Sequence, residues 1–217
     1  MKKYILFDLD GTLTDSAPGI MNSFRYALKH YNLPDQTDEE LKRYVGPPLM
    51  ESFSRYFGFD EKKSAEAVNV YREYFAEKGL LENEVYEGIP EALERLKSEG
   101  FILAVSTSKP EVYAKRIIEH FKLDMFFETV CGIPLGDEHM TKAAVIAQTL
   151  ERLGIRDTDS VLMVGDRDYD VKGARRNGIE CLGVLFGYGG RDELVSAGAV
   201  ACAETPKEMS ELICKMR

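Results

Sequence analysis

No stretch of this sequence approaches the roughly 18 unbroken apolar residues that a membrane-spanning helix needs, and tryptophan is absent altogether. The apolar run nearest the start, Tyr4 to Phe7, follows Lys2 and Lys3 but stops at Asp8, too soon for the hydrophobic segment of a secretion signal. Cys131, Cys181, Cys202 and Cys214 are scattered, with no C-x-x-C pair, which argues against a zinc site and a disulfide framework. His30, His120 and His139 are equally dispersed. These absences point to a soluble cytoplasmic protein with reduced thiols. An excess of positive charge is also missing. The chain carries 28 Lys and Arg against 37 Asp and Glu, a net charge of −9, which disfavours a sequence-independent nucleic-acid binder. No run of like charge reaches five residues, so there is no charged tail.

What is present is an ordinary globular composition, with 18 Gly and 8 Pro in 217 residues. That length allows one domain with a large insertion or two small domains. Short apolar runs read as buried strands: Tyr4 to Phe7, Phe101 to Ser106, Thr129 to Cys131, Ser160 to Val164, Cys181 to Leu185 and Ala199 to Cys202. Helical patterns lie between them, over Pro90 to Glu99, Glu111 to Phe121, Thr141 to Leu153, Asp168 to Asn177 and Asp192 to Ala197. The alternation implies an α/β fold with a parallel sheet between helices, whose chemistry gathers at the carboxyl ends of the strands. Residues 16–86 break the pattern with four helical segments and no strand, too long for a single loop. They read as an inserted helical subdomain, leaving 1–15 and 87–217 as the α/β core. Its many aromatics, among them Phe24, Tyr44, Phe53 and Tyr71, read as a small hydrophobic core rather than a base-stacking platform.

Candidate chemistry sits at the strand exits. The first strand ends in Asp8-Leu9-Asp10-Gly11-Thr12, two carboxylates two residues apart that repel each other unless a cation or proton intervenes. A later strand runs into Ser106-Thr107-Ser108-Lys109-Pro110, where a hydroxyl and fresh N–H groups before a helix suit phosphate oxygens. Lys142 stands at the start of a helix, opposed to the dipole, which disfavours a purely structural role. Another strand runs into Gly165-Asp166-Arg167-Asp168-Tyr169-Asp170, adding two acids four residues apart.

In chain order, Asp8 with Asp10, Thr107, Lys142, and Asp166 with Asp170 resemble the four signatures of the haloacid dehalogenase superfamily. The resemblance covers essentially the whole chain and implies a Rossmann-like core with a small helical cap. Val45-Gly46-Pro47-Pro48-Leu49 and Gly187-Tyr188-Gly189-Gly190 are similar to the phosphoglycolate phosphatase and bacterial 5′-nucleotidase-like branch. Asp10 favours phosphoryl transfer over halide displacement, because the dehalogenases lack an acid there.

The resemblance implies that Asp8 attacks phosphorus, that Asp10 serves as acid and then base, and that Thr107 and Lys142 hold the phosphoryl oxygens. It also implies Mg²⁺, held by Asp8, the Asp10 carbonyl and Asp166, with Asp170 binding it or orienting the shell. Ser108, Arg43 and Gly46 are candidate substrate contacts. Four acids and one lysine leave three net negative charges, which the metal and a proton on Asp10 would offset. The expected activity is hydrolysis of a small phosphorylated metabolite, phosphoglycolate or a nucleoside monophosphate, by a monomer or homodimer. A sugar phosphomutase shares every core motif and is the alternative of another class.

Overall fold

A computed structural model describes residues 1–137 and 140–217, so His139 lies outside the described residues. In chain order, β1 (Tyr4–Phe7) leads into the two-residue β2 (Thr14–Asp15). Next come α1 (Ala17–His30), α2 (Asp38–Lys42), α3 (Leu49–Phe57) and α4 (Glu61–Tyr74), which continues as a π-helical turn over Phe75–Gly79. A second short strand, β3 (Glu84–Val85), precedes α5 (Ile89–Ser98), β4 (Ile102–Pro110), α6 (Glu111–His120) and β5 (Phe127–Ile133). The rest is α7 (Lys142–Arg152), β6 (Val161–Gly165), α8 (Asp168–Arg176), β7 (Glu180–Val184), α9 (Arg191–Ala197), β8 (Ala201–Ala203) and α10 (Pro206–Lys215).

Two compact units result: Met1–Thr14 with Val85–Arg217, and Asp15–Glu84. The larger holds a six-stranded sheet in the order β5-β4-β1-β6-β7-β8, with every pairing parallel. Parallel strands covered on both faces must be apolar throughout. Ile5, Leu6 and Phe7 accordingly have no exposed surface, and each such burial contributes about 2 kcal/mol. On one side, Leu6, Ala104 and Met163 pack with Ile146, Leu150, Val171 and Ala174 in a single apolar cluster.

The position of β1 decides where chemistry can occur. It lies between β4 and β6, the point at which strand order reverses, and a crevice opens beyond the strand ends at such a point. Phe7 is level with Val105 on one side and Val164 on the other. The residues that follow Phe7, Val105 and Val164 therefore lie side by side toward one edge of the sheet. In the smaller unit, Phe24 centres a helical core, its ring 4.9 Å from Tyr44 and 5.2 Å from both Phe53 and Tyr71. The aromatics are packing residues, as their helical spacing suggests.

Four elements differ from expectation. β2 and β3, which form a two-stranded sheet of their own, are too short to show a period. α10 was not expected, although Thr205 caps it by accepting from Glu208 N–H and Pro206 opens its first turn. β4 runs on to Pro110, with a register shift against β5 between Ser106 and Pro110. Among the described residues no helix is long and apolar enough to cross a membrane.

Candidate active site

Asp8 leaves β1 with its N–H still donating to Val164 O at 2.9 Å, which sets its carboxylate at the middle of the sheet's carboxyl edge. Asp166 follows β6, and Asp170 lies in the first turn of α8. One oxygen from each of these three carboxylates lies within 4.8 Å of the others. Into this group reaches Lys142, the first residue of α7, where Thr141 caps the helix by accepting from Ala144 N–H. Its ammonium is 2.8 Å from Asp8 Oδ1 and 2.7 Å from Asp170 Oδ1, with the side chain 5% exposed. A second tie binds this helix to β4, where Thr149 Oγ1 donates to Ser106 Oγ at 3.0 Å.

Burial and repulsion dominate the electrostatics. Burial, and then the Asp170 and Asp8 charges, push the Asp166 carboxyl well above the usual range, against a hydrogen bond from Tyr188 N–H. Burial also raises Asp170, to about 6, with the Lys142 ammonium opposing and the Asp8 charge adding to the rise. For Lys142, burial pulls downward, but Asp170 and Asp8 overcome it and hold the ammonium above its ordinary value. A site that penalises its own carboxylates in this way favours a cation among them. Three carboxylate oxygens in close array form a hard-oxygen set, so the residues fit Mg²⁺.

Asp166 is enclosed by backbone. Tyr188 N–H donates to its Oδ2 at 2.8 Å, and Thr12 Oγ1 donates to Oδ1 at 3.4 Å. Gly187 beside it has no room for a side chain, since a Cβ would fall 2.1 Å from Gly11 O and 2.5 Å from Asp166 Cβ. At Gly189 a Cβ would fall 1.9 Å from Asp166 O, so two of the glycines at 187–190 have a physical reason in the close approach of the backbone to Asp166, whereas Gly190 borders open space.

The remaining candidates are placed as follows. Thr107 is buried, but it lies within β4, three residues ahead of the cap of α6 rather than at a helix start. The reason is Pro110, which drives Lys109 into extended geometry and prolongs the strand. Ser108 is exposed on the opposite face of that strand. Arg43 and Gly46 belong to the smaller unit. The Arg43 guanidinium lies over the Tyr44 and Tyr56 rings at 5.6 and 5.9 Å, and its Nε donates to Glu40 O at 2.7 Å. Gly46 is exposed at φ 104° in the turn before Pro47.

Asp10 stands apart from the other acids. Both its oxygens are taken by Lys109, whose ammonium is 2.9 Å from Oδ1 and 2.7 Å from Oδ2. Sequence reasoning passes over Lys109, which reads as a solvated lysine before a proline. The available signal was period two: in an extended chain, residues 107 and 109 face the same way. The site's charge count changes accordingly. Four carboxylates face two ammoniums, which leaves two net negative charges for a cation to meet.

The profile of the haloacid dehalogenase-like hydrolases matches residues 5–184. The chain belongs to that family. Among haloacid dehalogenase-like relatives, a 5′-nucleotidase from Pseudomonas aeruginosa is 45% identical over 190 residues, covering 88% of this chain and 86% of that protein. The tyrosine-protein kinase PtkA of Mycobacterium tuberculosis is 38% identical over 211 residues, covering 96% and 72%. A phosphoglycolate phosphatase from Aquifex aeolicus is 33% identical over 186 residues, covering 86% of each. The crystal structure of a predicted phosphatase from Clostridium acetobutylicum superimposes with a TM-score of 0.95 at 44% identity over 99% of both chains. This haloacid dehalogenase-like hydrolase is a phosphatase.

Proposed function

We propose that the protein is a Mg²⁺-dependent phosphomonoester hydrolase that works through an aspartyl phosphate on Asp8. The observation that carries the reading is the Lys142 ammonium held between Asp8 and Asp170, with Asp166 alongside. Asp8, Asp166 and Asp170 would hold the metal, which when bound neutralises part of the phosphate's charge. An Asp8 oxygen attacks phosphorus as the ester P–O bond breaks, and Asp10 gives its proton to the departing alkoxide. Asp10 then takes a proton from the water that attacks phosphorus, the Asp8–phosphorus bond breaks, and phosphate leaves. Lys142 and the Thr107 hydroxyl steady the phosphoryl oxygens while charge spreads over them.

The substrate reading is a small phosphate ester. Similarity to the Pseudomonas 5′-nucleotidase, the highest identity among the relatives named, favours nucleoside 5′-monophosphates, with phosphoglycolate the rival on the Aquifex relative. On resemblance alone, Ser108, Arg43 and Gly46 take part in substrate selection. The four free cysteines suit a cytoplasmic location. A panel of nucleotides, phosphoglycolate and sugar phosphates, assayed for released phosphate, tests all of this. Activity should vanish with EDTA and return with Mg²⁺. Conversion of one sugar phosphate to another without phosphate release would replace hydrolysis with mutase chemistry, and a rate indifferent to EDTA would remove the metal.

A further inference from the structure

Lys109 is a buried lysine with a specific receiver. Its side chain is 5% exposed, and its ammonium grips both oxygens of Asp10. Taking an ammonium out of water is unfavourable unless a counter-charge meets it. Here that counter-charge is the one site carboxylate outside the acidic group of Asp8, Asp166 and Asp170.

The surrounding backbone is built to deliver the lysine to that place. Pro110 keeps residue 109 extended. Gly132 on β5 leaves the space that the Lys109 carbonyl occupies, since a Cβ there would sit 2.4 Å from that oxygen. Glu111, the first residue of α6, is clamped by Arg152 at 2.8 Å, by Lys115 at 2.7 Å and by Gly132 N–H at 3.3 Å. Both flanks of Lys109 are therefore fixed. Asp10, by contrast, sits in a turn at Gly11, where φ is +78°.

We propose that Lys109 is the positioning residue for Asp10: its two-point grip fixes the carboxylate's direction, so that one oxygen faces the ester oxygen departing from phosphorus. The proposal rests on the reading of Asp10 as acid and base. A carboxylate that must meet a leaving group in one orientation gains from such a hold, because small misplacements of a catalytic group lose large factors in rate. Lys142, the first residue of α7, serves Asp8 and Asp170 and leaves Asp10 to Lys109.

The test uses the full chain with Mg²⁺ and measures kcat and KM for p-nitrophenyl phosphate and for an alkyl phosphate. Lys109→Met should lower kcat on the alkyl ester by about 30-fold or more and on the nitrophenyl ester by no more than about 3-fold, with KM within about twofold. Lys109→Arg should recover most of the loss. In an Asp10→Asn background, Lys109→Met should cost nothing further. If Lys109→Met does not fold, Lys109→Gln, which keeps volume and one donor, carries the same comparison. Equal losses on both esters, or a raised KM at constant kcat, would overturn the proposal. The proposal and the underlying reading fail differently. If Asp10→Asn itself costs the two esters equally, the acid–base reading falls and the proposal with it. If Asp10→Asn discriminates and the Lys109 variants do not, the proposal alone falls.

Discussion

Asp8 combines attraction and repulsion in one side chain: Lys142 at 2.8 Å on one side, and two further carboxylates within 4.8 Å on the other. Replacing it with the near-isosteric amide removes the carboxylate's charge and part of the crowding at once. Asp8→Asn should therefore lower kcat by ~10³-fold or more while the thermal midpoint stays within a few degrees of the parent. Substantial turnover in a pure sample would reject Asp8 as nucleophile. At this scale much of the site was legible, because strand exits, a lysine opposing a helix dipole and acids four apart are unusual arrangements. Asp8, Lys142, Asp166 and Asp170 do converge. Lys109 was legible only through its period-two spacing from Thr107, since its burial depends on where β4 ends, and that depends on Pro110 and on space at Gly132, two residues of different strands.

Among the elements, α6 shows how a helix lacking a side-chain cap at Pro110 is anchored instead by its first acid. Burial alone would raise the Glu111 carboxyl, but Lys115, Gly132 N–H and Arg152 outweigh it and hold the group below its ordinary 4.5. A folded-state value below the unfolded one stabilises the protein above the unfolded value, and the contribution is lost as pH falls through the folded one. Glu111→Gln should thus lower the thermal midpoint near pH 7, and the gap from the parent should narrow progressively below pH 4.5. A gap independent of pH would mean that the clamp acts by packing and not by charge. Sheet strands were readable from their apolar runs because burial on both faces leaves no alternative composition. β2 and β3 were not, since two residues carry no pattern. α10 was missed although Thr205-Pro206 is a readable start, because Met209, Leu212 and Ile213 make a thin apolar face.

The whole molecule carries a net charge of −9, yet its substrates are anions. Long-range repulsion of this kind is screened within about 8 Å at physiological ionic strength. At saturating Mg²⁺, kcat/KM should then hold steady or rise as NaCl is raised from low concentration to 0.15 M, unlike the steep fall of an electrostatically steered enzyme. A clear fall would show that a local positive field outweighs the net charge. Strand order was the part of the architecture that local pattern could not give, because it is set by packing among segments far apart in sequence. That order also has a consequence for how the chain is made. β1 pairs only with β4 and β6, so Ile5, Leu6 and Phe7 meet their first sheet partner when Ile102 has been synthesised and their second at Val161. Asp15–Glu84, complete and self-contained well before either, is free to fold first. The segment bearing Asp8 is thus made well before both of its sheet partners and stays unpaired until they follow. During that interval its apolar run is exposed nascent chain of the kind that chaperones cover.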